Sequence, residues 1–408
     1  MREWSRRAAV AAIAVFVWVA AGPLAAEQEQ KPAAQAPPAK KNPLLKLVEP
    51  WPAPEKMQER KANAEALALF ASLDPLEVTL TGDFKAINRD HNPESKQRYP
   101  GTVKTGTEEI AVQFGARGHV RRMARTCDYV PLRVEFTDKP AATSVFARQE
   151  KLKLVVQCAG GGEYEQYIYK EYLAYRIYNT LMPHQSFRAR LARVSYVDRA
   201  GKPAGSRMGM FLEDEGDVAK RMEGRVVELQ RLLFENLDSD ALMPMMIFEY
   251  MIGNTDFSIY ALHNVRIVQR PDKSLHPVPY DFDFSGLVNT PYALPARGLL
   301  LKTVHDRMYR GPCRRQEQVD PYVANFAFYK DVFTHNNFRL QFSALLDNAF
   351  NHPQFFPAYG SGFVQLDDFL INGDPNNGST AVLGADTIAN TEGFSPGRVI
   401  RLGIRAMF

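Results

Sequence analysis

The chain has 408 residues, 45% of them hydrophobic and 24% charged, which is enough to bury a sizeable core and to hold more than one domain. Fifty Lys and Arg stand against 46 Asp and Glu, and the resulting net charge of +4 gives no case for nucleic acid as a partner. Three cysteines, with no Cys-x-x-Cys and no Cys/His cluster, argue against a zinc site.

Arg6 and Arg7 precede an apolar run over 8–21, and small residues at Ala25 and Ala26 offer a cleavage site, so 1–26 reads as a secretory signal peptide. The run is short for a membrane anchor and is followed by Gly22 and Pro23. Export to the periplasm or the extracellular space permits a disulfide among Cys127, Cys158 and Cys313, with one cysteine left over and the pairing open. Residues 27–54, rich in Ala, Pro, Lys and Gln, read as a tether too poor in apolar surface to fold. An N-terminal extension follows over 55–107. It opens with a helical pattern at 55–73 (Ala62, Ala66, Leu69, Phe70 and Leu73 on one face) and continues with an alternating strand at 76–84.

Residues 108–118 form an apolar strand running into the Arg117-Gly118 turn, and with 130–136 they read as an antiparallel meander. The strand at 151–158 puts Leu152, Leu154 and Val156 on one face and Lys151, Lys153 and Val155 on the other. Gly160–Gly162 is a turn rather than a phosphate cradle, because no Gly-x-x-x-x-Gly-Lys follows. The helix at 164–181 carries Glu165 and Glu171, and its tyrosines 167, 169, 172 and 175 read as core packing. Phosphoryl transfer from a nucleotide needs a cation on a central strand, positioned by a Glu of a neighbouring helix. Lys153 fits the first role, and Glu165 or Glu171 the second. Strands at 186–196 and 207–213 flank a Gly/Pro turn, 208–214 has the look of a hinge strand, and 217–237 and 241–251 read as helices.

The densest signal lies in 251–286. Asp256, His263, Asn264, Asp281 and Asp283 sit there among Ile, Phe, Tyr, Leu and Val, with a strand at 265–269 and a turn at 271–274 between them. Burying carboxylates is costly unless a charge compensates them, and oxygen-rich Asp/Asn sets suit Mg2+ or Mn2+ over zinc. Their order fits phosphoryl transfer: Asp256 accepts the proton of a substrate hydroxyl, while Asn264 and Asp281 or Asp283 hold metal. The interval from Asp256 to Asn264 is longer than in ordinary protein kinases, and there is no His-Arg-Asp. His263 is open to two readings, a satisfied core histidine or the group that orients Asp256.

The Gly253-Asn254-x-Asp256 segment, the His263-Asn264 pair and Pro-Tyr-Asp-Phe-Asp-Phe-Ser-Gly at 279–286 resemble the spore-coat-protein-H-like (CotH) atypical kinases, with similarity from about 112 to 313. The resemblance implies an α+β, two-lobed atypical protein-kinase-like domain over 108–318. It implies ATP with Mg2+ or Mn2+, transfer to a hydroxyl of a protein or small molecule, and cofactor contacts at Lys153, Glu171 and Arg117, the last facing phosphate. The periplasm is poor in ATP, which keeps a degenerate, binding-only form open.

From 319 the character changes. Residues 322–333 alternate loosely and 337–346 clearly, Gly and Asn crowd 360–393, and the last residues alternate up to Phe408. The strings at 348–355 and 395–408 resemble the closing strands of Oar-like TonB-dependent outer-membrane receptors. This resemblance implies a β-rich tail like an outer-membrane barrel fragment, association with that membrane, and a structural or transport role as the alternative function. Three or four strands cannot close a barrel in lipid, so the tail is a fused fragment or pairs with another chain.

Overall fold

A computed structural model describes residues 43–123, 126–324, 328–335, 338–347, 381–382 and 399–407. The signal peptide, the tether over 27–42 and the string at 348–355 lie outside the described residues, as does 360–393 apart from 381–382.

The first half is built on α1 (Pro54–Glu65), β1 (Leu76–Thr81), α2 (Phe84–Asn88), β2 (Tyr99–Thr105), β3 (Glu108–Ala116), β4 (Leu132–Phe136), β5 (Lys151–Val156), α3 (Gly162–Leu181), β6 (Ala189–Val197) and β7 (Pro203–Leu212). Seven strands close a barrel in the order β1-β2-β3-β4-β5-β7-β6. Every pairing is antiparallel except the closing one, where β1 runs parallel to β6 with Leu76 opposite Ala192 and Thr81 opposite Val197. Strand alternation fills the interior: Leu80, Val112, Phe114, Val134, Leu152, Leu154, Val156, Val194, Tyr196 and Phe211 form one core. β1 and β2, from the stretch read as an N-terminal extension, are staves of this barrel.

The second half comprises α4 (Glu215–Arg221), β8 (Arg225–Val227), α5 (Ser239–Met251), β9 (Val265–Gln269), β10 (Leu275–Pro279) and α6 (Gln316–Ala324). β9 lies between β8 and β10 in a three-stranded antiparallel sheet. A second core joins the outward residues of β6 and β7 (Leu191, Met208, Met210, Leu212) to Tyr172, Tyr175 and Tyr178 of α3, and then to Met245, Phe248 and Phe282. The tyrosine stripe of α3 is therefore packing in its central part, as its spacing indicates. α5 is buried nearly all round, which is why it shows no polar face.

Two expectations are corrected. The helix read over 217–237 ends at Arg221; the chain turns at Glu223, whose φ is 54°, and enters β8. Gly224 explains the change, because a Cβ there would lie 2.5 Å from a methyl of Val268 and 2.7 Å from the Gln269 carbonyl: the backbone must approach β9 closely. The end of the supposed tether is also docked. Arg225 donates to the carbonyls of Leu47 and Glu49, and its guanidinium lies 4.0 Å from the Trp51 ring centre.

Among the described tail residues, β11 (Phe328–His335), β12 (Phe338–Asp347), β13 (Ala381–Val382) and β14 (Val399–Met407) form a sheet in the order β11-β12-β14-β13. In the β12–β14 register Leu340, Phe342, Ala344 and Leu346 stand opposite Ala406, Ile404, Leu402 and Ile400. No described helix is long and apolar enough to cross a membrane. The architecture is mixed α+β.

Candidate functional site

Two bends carry the acidic set, and local chemistry shapes both. Asp238 caps α5 by accepting from Ala241 N–H at 2.9 Å, and Gly253 ends the helix with φ 66°, a left-handed stop that glycine adopts without strain. Asn254 then accepts from Asp256 N–H at 3.0 Å. Paired backbone bonds between Ser258 and His263, each 3.0 Å, close the loop and bring His263 back beside Asp256. His263 Nε2 lies 3.2 Å from Asp256 Oδ1, and Asn264 Nδ2 donates to Asp256 Oδ2 at 3.0 Å and to its carbonyl at 2.7 Å. Both carboxylate oxygens are thus oriented, and the His263 ring, 56% exposed, is no core histidine. The bond to Asp256 raises the His263 pKa against its partial burial. Arg310 braces the same loop by donating to the carbonyls of Thr255 and Phe257.

The second bend follows β10. Tyr280 N–H donates to the Asn264 carbonyl at 3.0 Å, Gly286 N–H to Gly253 at 3.2 Å, and Leu287 N–H to Ile252 at 3.0 Å. These bonds lace the bends together. Asp281 adopts φ 68°, unusual for a non-glycine residue, with its N–H donated to the Tyr175 hydroxyl at 2.9 Å. No hydrogen bond or ion pair engages its carboxylate among the described residues. Burial first, and Asp283 second, push Asp281 up to about 6 against the pull of Arg121 and Arg117.

Asp283 is differently placed. Arg121 Nε and Nη2 reach its Oδ2 at 3.0 and 2.9 Å, and the Tyr292 hydroxyl donates to the same oxygen at 3.0 Å. Arg121 Nη2 also holds Glu171 Oε2 at 3.0 Å. Glu171 therefore pairs with Arg121 and not with Lys153. Burial drives the Glu171 carboxyl upward, with Arg121 opposing.

Lys153 points off the outer face of β5 and pairs with Glu215 at 3.3 Å, a carboxylate shared with Arg266 at 2.8 Å. The rings of Phe187 and Tyr280 lie 5.5 and 5.0 Å from its ammonium. Burial, then the neighbouring Arg117 charge, lower the Lys153 pKa to about 8. Burial would raise Glu215, yet Lys153 and Arg266 hold it at about 2. Arg117, half-buried just beyond β3, is lowered by burial and interacts electrostatically with Asp281; among the described residues its guanidinium makes no hydrogen bond or ion pair.

Electrostatic interaction links Asp281 to Asp283, Arg121, Arg117 and Asp256, and Arg117 to Lys153, while Asn264 bonds to Asp256 and Glu171 to Arg121. Reasoning from sequence missed Arg121, Glu215, Arg266 and Tyr292. Arg121, Glu215 and Arg266 act through partners far along the chain, Tyr292 through Asp283 nine positions before it, and no local pattern marks any of them.

Among the described residues, no three His, Cys, Asp or Glu side chains gather as a metal-holding group. The donors in the two bends are carboxylates and an amide, and magnesium is commonly held by one or two carboxylates together with phosphate oxygens and water. The open carboxylate of Asp281 fits that pattern. The disulfide joins Cys127 to Cys158, tying the segment after Arg121 to the end of β5, and leaves Cys313 free. No family model and no curated protein matches the chain.

Proposed function

We propose that this chain is an exported, two-lobed atypical kinase-like phosphotransferase, with the barrel and α3 as one lobe and the segment from α4 onward as the other. One observation carries the reading: two hydrogen-bonded bends bring Asp256 and Asp281 close together, and Arg117, which interacts electrostatically with Asp281, is a neighbour of Lys153 on the barrel. Acid oxygens and cations together suit a nucleotide triphosphate, whose phosphates need both.

In this reading Lys153 and Arg117 bind the phosphates of ATP, and Glu215 and Arg266 fix the lysine. Mg2+ or Mn2+, held from Asn264 and Asp281 or Asp283, would neutralise phosphate charge when bound. Asp256, oriented by His263 and Asn264, takes the proton from a hydroxyl of a protein or small molecule. The hydroxyl oxygen bonds to the γ-phosphorus as the bond from that phosphorus to the β–γ bridging oxygen breaks, and ADP leaves with the electron pair. Transfer of labelled γ-phosphoryl tests this. Asp256→Asn should lower the rate by about 10²-fold or more, the range for losing a general base; equal labelling in wild type and variant would remove the role.

A second reading concerns the tail. The pairing of apolar positions across β12 and β14 supports association with the outer membrane, as a fused barrel fragment or through pairing with another chain. Partitioning into detergent with heat-modifiable migration would favour it, whereas recovery in the aqueous phase would count against it.

A further inference from the structure

We propose that Arg121 is a built-in counter-cation that reserves Asp283 from metal, so that the site takes a single divalent ion, seated at Asp281; the inference rests on the metal-dependent reading above. Oδ2 of Asp283 accepts hydrogen bonds from Arg121 Nε at 3.0 Å and the Tyr292 hydroxyl at 3.0 Å, and Arg121 Nη2 lies in ion-pair contact with it at 2.9 Å. A carboxylate oxygen offers about two lone-pair sites, so Oδ2 is saturated, and a metal could reach Asp283 only through Oδ1, beside the guanidinium. Arg121 and Asp283 are 8% and 5% exposed, and an arginine guanidinium does not deprotonate there. A divalent ion approaching Asp283 would meet that fixed positive charge at close range in a poorly solvated site.

Asp281 shows the opposite arrangement. Its carboxylate has no hydrogen bond or ion pair among the described residues. Its backbone adopts φ 68°, a strained conformation, with its N–H donated to the Tyr175 hydroxyl. Asn264, which bonds to Asp256, also has a positive φ, 54°. Glu171, 1% exposed, has a buried Oε1 without a hydrogen-bond partner among the described residues, and burial together with Asp283 and Asp281 raises its carboxyl. Arg121 is committed to Glu171 and Asp283, so Asp281 is left to the more distant charge of Arg117 and to any cation that enters.

The test is a count of Mn2+ ions bound per full-length chain, read by the loss of the free-ion electron paramagnetic resonance signal. Wild type should bind one. Asp281→Asn should weaken that binding by about tenfold or more, the scale for disturbing a metal's ligand set, and Asp283→Asn should leave the affinity within a few-fold. Arg121→Gln should create a second ion site at the released Asp283. If the Asp283 or Arg121 variant fails to fold, the wild-type count and Asp281→Asn still decide. Two ions in wild type, or an ion lost in Asp283→Asn but kept in Asp281→Asn, would overturn the inference and leave the metal-dependent reading standing. No bound ion at all would overturn both.

Discussion

Replacing Glu249 by Gln isolates the support beneath the first bend. Glu249 is 1% exposed in α5; its Oε2 accepts from Asn254 Nδ2 at 2.8 Å and its Oε1 has no partner. Asn254 in turn fixes Asp256 N–H, so the buried acid sits two hydrogen bonds from the proposed base. Burial first, with a contribution from Asp256, raises the Glu249 pKa from its ordinary 4.5 to about 8, against the bond from Asn254 and the charge of Arg310. The sign follows from the raised folded value. The stabilising contribution of the protonated acid is complete below about 4.5 and is lost as pH climbs through about 8. One proton linked to unfolding changes stability by about 1.4 kcal/mol per pH unit, so the loss across that window is a few kcal/mol. Gln keeps the acceptor for Asn254 and carries no charge. Urea unfolding followed by circular dichroism should show the two proteins within about 0.5 kcal/mol of each other at pH 5, the scatter of a near-neutral change. The variant should then become progressively more stable than wild type toward pH 8. Parallel stability curves for the two proteins would refute the buried, neutral Glu249.

Other consequences concern separate parts of the molecule. Removing the Cys127–Cys158 disulfide with paired serines opens a loop of sequence separation 31 and should lower unfolding stability by about 3 to 4 kcal/mol, measured by the same denaturation. Gly286→Ala places a Cβ 2.5 Å from the Val304 carbonyl and should cost about 1 to 3 kcal/mol, with a lower thermal midpoint as the readout. Lys153, lowered to about 8, should lose its charge as pH rises past that value. ATP affinity measured from pH 7 to 9 should therefore fall across the range in wild type and stay flat in Lys153→Met.

Local pattern carried part of this structure. The faces of β5 follow from alternation, which sends Leu152, Leu154 and Val156 into the barrel and Lys153 outward. The tyrosines of α3 follow from helical spacing, and the β9–β10 hairpin from its polar turn. Barrel closure is different in kind: β1 pairs with β6 more than a hundred positions away, and a parallel register leaves no hairpin signature. Arg121 sits beside Arg122 among basic residues with no motif around them, yet its partners Glu171 and Asp283 lie 50 and 162 positions further on. The acids of the second bend were visible as types, but which of them is engaged and which is open depends on that long-range bridge. Lys153 was likewise visible as a cation on a strand, while its partner Glu215 comes from the start of α4, 62 positions away, and not from α3.

The most direct measurement is calorimetric binding of ATP in the presence and absence of Mg2+, with wild type beside Asp281→Asn. The account predicts saturable binding that requires the ion in wild type and is lost in the variant. Binding indifferent to both the ion and Asp281, or none in wild type, would contradict it.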